Sequence, residues 1–410
     1  RCPLGRYLRI EDLDLRDKAV FLRVDINSPI DPKTGRILDD TRIKSVKETL
    51  DALSGSRVVI GAHQGRPGDE DFTSLRAHAE LMERAIGRRV EFIEDIFGPL
   101  ARGAIGGMRA GDIILLENLR FASEEILDAP PEALAKTHLV RNLAPLLDAY
   151  VNDAFATAHR ASASIVGFPE VLPSAAGKLM EAELRALEAI TESPRRPCVF
   201  VIGGAKVEDK VPVVKNALER GYADRVLVGG LVAKVFLKAA GLELGKGEEA
   251  ALSKRGALVG MAREVIGKWG DRIAMPRDVA VKRDGGREEA PVQRMREFDS
   301  SMDIGAATIE EYSSIISGAG TIVANGPMGV FEEGSFALGT RAILEAIANS
   351  KAFKVIGGGH LAVLAQELGI SDKFSHISTG GGALLKLLSG GSLPAIEALE
   401  RAAERYRHKA

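Results

Sequence analysis

The sequence runs to 410 residues but has only two cysteines, one tryptophan and five tyrosines, and aromatic residues make up 5% of it. Cys2 and Cys198 cannot build a disulfide framework or a cysteine-rich metal site. Cys198 opens an apolar run, so it reads as a buried thiol in a reducing cytoplasm. Charge of one sign is missing too: 55 Lys and Arg oppose 57 Asp and Glu, a net charge of −2. That excludes a global basic field for nucleic acid, so any polyanion site has to be a local concentration of charge. No apolar run approaches the roughly 20 residues of a transmembrane helix, so no membrane partner is expected. The first ten residues carry charges throughout and contain no signal-peptide core. They begin at Arg1 without an initiator methionine, which implies a trimmed or recombinant start.

Hydrophobic residues are 45% and charged residues 27%, ordinary for a globular chain. At about 150 residues per domain, the length predicts two or three domains. Short apolar runs alternate with longer helical stretches. In the first half the runs are Ala19–Val24, Val58–Ile60, Val90–Ile93, Ile113–Leu116 and Ala149–Val151. In the second they are Val199–Ile202, Val226–Val228, Ile273–Met275, Thr321–Ala324, Val355–Ile356 and Ile377. Most are continuous rather than alternating, as strands buried on both faces are, which predicts an α/β fold with parallel sheets covered by helices. Thr41–Leu53 reads as a helix behind the cap Asp39-Asp40-Thr41. Gly177–Ile190 reads as a long helix running into the breaker Thr191–Pro197, where the domain boundary is expected.

The two halves differ in chemistry. After the first-half strands come Asp25-Ile26-Asn27, His63-Gln64-Gly65-Arg66, Arg120, and His159-Arg160, with Arg42 in the first turn of a helix. Strand C-termini of a parallel sheet open onto one edge, so these residues should converge on a basic pocket. Arginine suits a phosphate or carboxylate because its planar fork binds them bidentately. Each arginine alone is more often a solvated surface charge, and a lone His159 more often a structural histidine; the repetition after successive strands is what carries weight. The second-half strands lead instead into Gly203-Gly204-Ala205-Lys206, Gly229-Gly230, Asn325-Gly326, Gly357-Gly358-Gly359 and Gly380-Gly381-Gly382. Glycine lets backbone N–H groups approach a phosphate, and a following helix N-terminus adds a positive dipole. Lys206, Lys210 and Asp209 fit phosphate and Mg²⁺ roles, although no Walker A pattern is present. An anion pocket beside a nucleotide pocket points to phosphoryl transfer, which is mostly positioning and charge neutralisation. Two domains that each hold one substrate would have to close and exclude water.

At this point the sequence resembles the phosphoglycerate kinase family over essentially its whole length. The matching segments, in order, are Arg23–Pro29, His63–Pro67, Leu115–Phe121, Asn152–Arg160, Gly203–Lys210, Asn325–Glu332, Gly357–Gly359 and Ser378–Ala383. The resemblance implies two Rossmann-like domains joined by a long helix and hinge. It divides the chain into a 3-phosphoglycerate domain (1–175), the helix and hinge (176–194), a nucleotide domain (195–391) and a tail (392–410) that packs back on the first domain. It implies reversible transfer between ATP and the carboxylate of 3-phosphoglycerate in glycolysis and gluconeogenesis, with Mg²⁺, in the cytoplasm, by a monomer or homodimer.

Carried over by position, Asp25, Ile26 and Asn27 would hold the glycerate. His63, Gln64, Gly65, Arg66, Arg120, His159 and Arg160 would hold the non-transferred phosphate. Arg42, Lys206 and Gly380–Gly382 would act on the phosphoryl group in flight. Gly203, Gly204, Ala205, Lys210, Gly229, Gly230, Gly305, Asn325, Glu332 and Gly357–Gly359 would line the nucleotide site with His360 and Leu361, and Asp209 would ligate Mg²⁺. Two residues depart from the common pattern. His360-Leu361 stands where Asp-Thr is usual, a variant that resembles the archaeal branch, and Ser162 stands where many relatives have histidine. Two alternatives compete with this reading: a different kinase on this scaffold, and a nucleic-acid or regulatory module. The intact basic set argues against the first, and the presence of Arg42 and Lys206 with few aromatics against the second.

Overall fold

A computed structural model describes residues 7–408. Cys2 and the charged start at Arg1 lie outside the described residues. The chain forms two compact units. One runs to Arg185 and takes in the segment from Ser392 onward; the other is Ala186–Gly391. The division falls inside the helix Lys178–Thr191, not at the proline-rich turn that follows it.

The first unit is built on seven strands: β1 (Leu8–Arg9), β2 (Ala19–Val24), β3 (Arg57–Gly61), β4 (Glu91–Ile93), β5 (Ile113–Leu116), β6 (Ala149–Asp153) and β7 (Ser174–Ala176). They lie in the order β1-β7-β6-β2-β3-β5-β4, with every pairing parallel. β2 is central, with Leu22 opposite Ile60 of β3 and Val151 of β6. Alternation along β2 sends Val20, Leu22 and Val24 into one core, shared with Leu50, Val58, Ile60 and Met82. On the other face Phe21 stacks on Phe168, 4.4 Å between ring centroids. Arg23 shares that second face. The helix expected over Thr41–Leu53 is two pieces, Thr41–Ser45 and Lys47–Ala52, separated at Val46. Its apolar stripe of Ile43, Val46, Leu50 and Leu53 is buried nonetheless. Asp39 Oδ1 accepts from Thr41 N at 2.9 Å just ahead of the helix, while the N-cap residue itself, Asp40, makes no side-chain capping bond. The C-terminal helix Pro394–Arg407 belongs to this unit. Ala395 N donates to the Ala158 carbonyl, and Arg401 and Arg405 each reach Glu170 at 3.1 Å.

The second unit holds six parallel strands and a small antiparallel sheet. The strands are β8 (Cys198–Ile202), β9 (Arg225–Val228), β10 (Ile273–Ala274), β11 (Asp278–Arg283), β12 (Gly286–Pro291), β13 (Ser301–Ile304), β14 (Thr321–Asn325), β15 (Phe353–Gly357) and β16 (His376–Ser378). The parallel order is β10-β9-β8-β14-β15-β16, which reverses direction between β8 and β14. Such a reversal opens a crevice at the strand C-termini, where nucleotides bind in doubly wound sheets. The antiparallel sheet β12-β11-β13 lies outside the apolar-run pattern, because its strands carry Lys282, Arg283, Glu288 and Glu289 instead of a continuous apolar run. β1 and β7 escaped notice for a related reason: they have two and three residues, and β7 reads Ser-Ala-Ala.

Candidate active site

In the first unit the strand reversal falls between β2 and β6, and the candidate residues gather at that edge. Asp25 is buried just beyond β2. Its Oδ1 accepts from Asn27 N at 3.0 Å, and its Oδ2 accepts from Arg42 Nη1 at 2.9 Å. Arg42 keeps 39% of its side chain exposed, so the pair stays open to a ligand on one side. Asn27 Oδ1 accepts from Gly65 N at 2.9 Å, tying the loop after β2 to the loop after β3. Gln64 reinforces that tie: its Oε1 accepts from Ser28 N and its Nε2 donates to the Ser28 carbonyl. Behind it stands His78, wholly buried, whose Nε2 lies 3.0 Å from Gln64 Oε1. Asn118 then joins the loops after β3 and β5, donating to the carbonyls of Gln64 and Thr73, both at 2.8 Å. Gly65 has φ +65°, and a Cβ there would stand 2.6 Å from Phe72 N, so the turn before Arg66 requires glycine.

The cations act on one another. Arg120 is buried and donates to the Gly65 carbonyl. Burial, and then the charges of Arg160 and Arg23, pull it down to about 10. Arg160 is lowered by burial and by Arg66. His63, only 2% exposed, is pushed well below its ordinary value by burial and then by Arg23, Arg120, Arg160 and Arg42. His63 is therefore neutral at physiological pH. A phosphate bound among these like charges would relieve their mutual repulsion. Arg66 is exposed at the rim, and His159 is half-buried beside Arg160. Ile26 turns into the hydrophobic core, so only its main chain is available to a ligand.

The glycine-rich ends of the second unit serve two purposes. Those after β8, β9 and β14 allow the loops to touch. Gly203 N donates to the Asn325 carbonyl, Gly230 N to the Met328 carbonyl and Leu231 N to the Gly204 carbonyl. A Cβ on Gly203 would stand 2.2 Å from the Pro327 carbonyl oxygen. Lys210 is buried within this knot and donates to the Gly203 carbonyl; burial, and then Lys206, lower it to about 8. Lys206 and Asp209 are exposed at the start of the helix Val207–Glu219. The glycines after β15 and β16 lead into the helices Gly359–Glu367 and Gly381–Leu388, and a Cβ on Gly381 would meet Gly358 N at 2.8 Å. Asn325 Nδ2 is buried without a partner, and a Cβ on Gly357 would stand 3.2 Å from it. An orphaned donor against a glycine loop at a helix N-terminus suits a phosphate or ribose oxygen.

Several residues sit otherwise. Gly305 packs on the Asp278 carboxylate, which caps the helix Ala306–Ser317 through Ala307 N and Thr308 N. Leu361 lies in the core, while Glu332 and His360 are exposed, and the His360 ring is 5.1 Å from that of Phe331. Among the described residues no three His, Cys, Asp or Glu side chains group to hold a metal. The exposed Asp209 carboxylate is of the type that suits a Mg²⁺ arriving on a nucleotide, since such an ion keeps its waters and phosphate oxygens and needs one or two carboxylates. Residue-by-residue reading overlooked Arg23, Glu125 and Ser164, which form a buried polar network under His63. The visible signal was an arginine inside the otherwise apolar run Ala19–Val24.

The phosphoglycerate kinase family model matches residues 10–391. The chain is 49% identical over 399 residues to the phosphoglycerate kinase of Methanothermobacter thermautotrophicus, covering 96% of this chain and 97% of that one. It is 46% identical to that of Sulfurisphaera tokodaii, covering 95% of each. Among solved structures it is similar to phosphoglycerate kinase from Pyrococcus horikoshii, with a TM-score of 0.88, 45% identity and coverage of 97% and 99%. The enzyme from Coxiella burnetii gives 0.79 at 33% identity, with coverage of 97% and 100%.

Proposed function

The chain belongs to the phosphoglycerate kinase family, and on that footing we propose that the basic edge of its first unit holds 3-phosphoglycerate and the glycine-rich edge of its second holds ATP. The reaction is reversible phosphoryl transfer between ATP and the carboxylate of 3-phosphoglycerate, the glycolytic step of the family. The observation that carries the residue assignment is the convergence of Arg42, Arg120, Arg160 and a neutral His63 at the strand reversal of an all-parallel sheet.

In this reading Arg66, Arg120, Arg160 and His63 bind the phosphate that is not transferred. Asp25 and Asn27 orient the glycerate, and Arg42 faces the reacting carboxylate. The acceptor carboxylate is ionised at neutral pH, with an ordinary value around 4, so no general base is required. Positive charge does the work instead, by offsetting negative charge that spreads over the transferring group. Lys206 reaches the transferred phosphoryl group, and Lys210 steadies the loop Gly203–Gly204 against the nucleotide phosphates. Gly380–Gly382 present backbone N–H groups at a helix N-terminus. Asp209 would hold Mg²⁺ brought by the nucleotide; the ion when bound neutralises phosphate charge. No described helix is long and apolar enough to cross a membrane, and we place the activity in the cytoplasm.

The test couples ATP, Mg²⁺ and 3-phosphoglycerate to NADH oxidation by glyceraldehyde-phosphate dehydrogenase. Lys206→Ala and Arg42→Ala are each expected to lower turnover by orders of magnitude with the fold intact, while Arg66→Ala raises KM for 3-phosphoglycerate. Near-wild-type turnover in either of the first two would remove its assigned role.

A further inference from the structure

Arg23 is 2% exposed, the penultimate residue of a strand buried on both faces. A charge so placed is tolerated only when every donor is paired. Its Nε donates to Ser164 Oγ at 2.7 Å and its Nη1 to the Val24 carbonyl at 2.5 Å. Glu125 Oε1 supplies the countercharge, 3.5 Å from Nη2. Glu125 is itself held by Ser164 Oγ, Ser162 Oγ and Ser164 N at 2.5, 2.9 and 3.0 Å. The remaining contact of Nη2 is His63 Nδ1, at 3.1 Å.

That contact admits one assignment of protons. A guanidinium has donors only, so Nδ1 has to be the acceptor. The ring proton then resides on Nε2. Protonating Nδ1 would set N–H against N–H and add a cation facing Arg23 on β2, Arg42 on its helix, Arg120 after β5 and Arg160 after β6. We propose that Arg23 is a positioning residue that locks His63 in the neutral Nε2–H tautomer, so that His63 offers the substrate phosphate a donor whose strength does not change with pH. The substrate half of this statement rests on the reading of the first unit's edge as the 3-phosphoglycerate site; the tautomer half does not. The physical advantage is charge economy: four arginines already supply the positive field, and a fifth cation would have to be desolvated beside them.

Nitrogen NMR of the ¹⁵N-histidine-labelled full chain decides the tautomer without substrate. Arg23→Lys, and the double variant Arg23→Met/Glu125→Gln that removes both buried charges together, supply the perturbations. In the wild type, two histidines are expected to show an unprotonated Nδ1 and a protonated Nε2 unchanged from pH 5.5 to 8: His63, and the buried His78 whose Nε2 faces Gln64 Oε1. His63→Ala tells the two signals apart. In the double variant the His63 ring should become a tautomer mixture or titrate. KM for 3-phosphoglycerate should rise roughly tenfold, the loss expected for a hydrogen bond to a charged group. It should also acquire a pH dependence that the wild type lacks, while kcat at saturation holds. A wild-type His63 that carries its proton on Nδ1, or that titrates near its ordinary value, overturns the proposal. So does an unaltered tautomer in the double variant. A locked tautomer combined with an unchanged KM in His63→Ala would instead overturn the placing of His63 in the substrate site.

Discussion

His78 offers a test of how burial sets the acid stability of the first unit. The ring is wholly buried on the helix Arg76–Ile86, and its Nδ1 has no partner. Burial lowers it from 6.5 to about 4. Between those two values the unfolded chain binds a proton that the folded chain refuses, so stability rises with pH. The contribution is fully present above 6.5 and is lost as pH falls toward about 4. The gap corresponds to about 3 kcal/mol, of which about 2.5 is gone by pH 4.5. His78→Phe removes the titration while keeping a ring of similar size. It also deletes the donor to Gln64 Oε1, which retains Ser28 N, at a cost of about 1 kcal/mol. The wild type should therefore be the more stable at pH 7.5 by about 1 kcal/mol, and the variant the more stable at pH 4.5 by about 1.5 kcal/mol. The single tryptophan, Trp269, lies in the second unit, so fluorescence would miss this change. Amide exchange of β2 and β3 during urea unfolding reports the correct unit. Curves for the two proteins that stay parallel from pH 7.5 to 4.5, with no crossing, would refute the account.

Gly326 has φ +84°, and a Cβ there would stand 2.2 Å from Lys210 Nζ and 2.4 Å from the Gly203 carbonyl oxygen. Gly326→Ala should raise KM for ATP at least tenfold and destabilise by more than the 1–2 kcal/mol of left-handed strain alone. Gly260→Ala, in the interior of the helix Gly256–Trp269 with nothing within 4 Å of a new Cβ, should instead stabilise by about 0.5–1 kcal/mol; chemical denaturation of both variants checks the contrast. Cys198 is fully buried and pushed up to about 12 by burial. In a Cys2→Ser background a thiol reagent should therefore find no reactive group until the second unit unfolds; rapid labelling of the native protein would contradict this.

Continuous apolar runs determined the parallel strands, because a strand buried on both faces rarely accommodates a polar residue, Arg23 in β2 being an exception. Ala19–Val24, Ile113–Leu116 and Val199–Ile202 could be read directly, and they lie within the central strands. The same criterion passed over β11–β13, which are broken by charged residues, some exposed (Lys282, Arg283) and one, Asp303, buried against Arg287, and β7, whose small residues resemble a loop. The basic and glycine-bearing strand ends were legible as well, since chain direction in a parallel sheet puts every strand C-terminus on one edge. Their division of labour was not. Glycines after β8, β9 and β14 prove to be spacers for loop-to-loop approach, and Gly305 makes room for a capping carboxylate. The proton on His63 was likewise beyond a one-dimensional reading. Arg23 lies 40 positions from His63, Glu125 lies further on, and Ser164 is 141 positions from Arg23. Only folding removes water from among them, and without water a guanidinium with no acceptor atoms leaves the imidazole a single choice of tautomer.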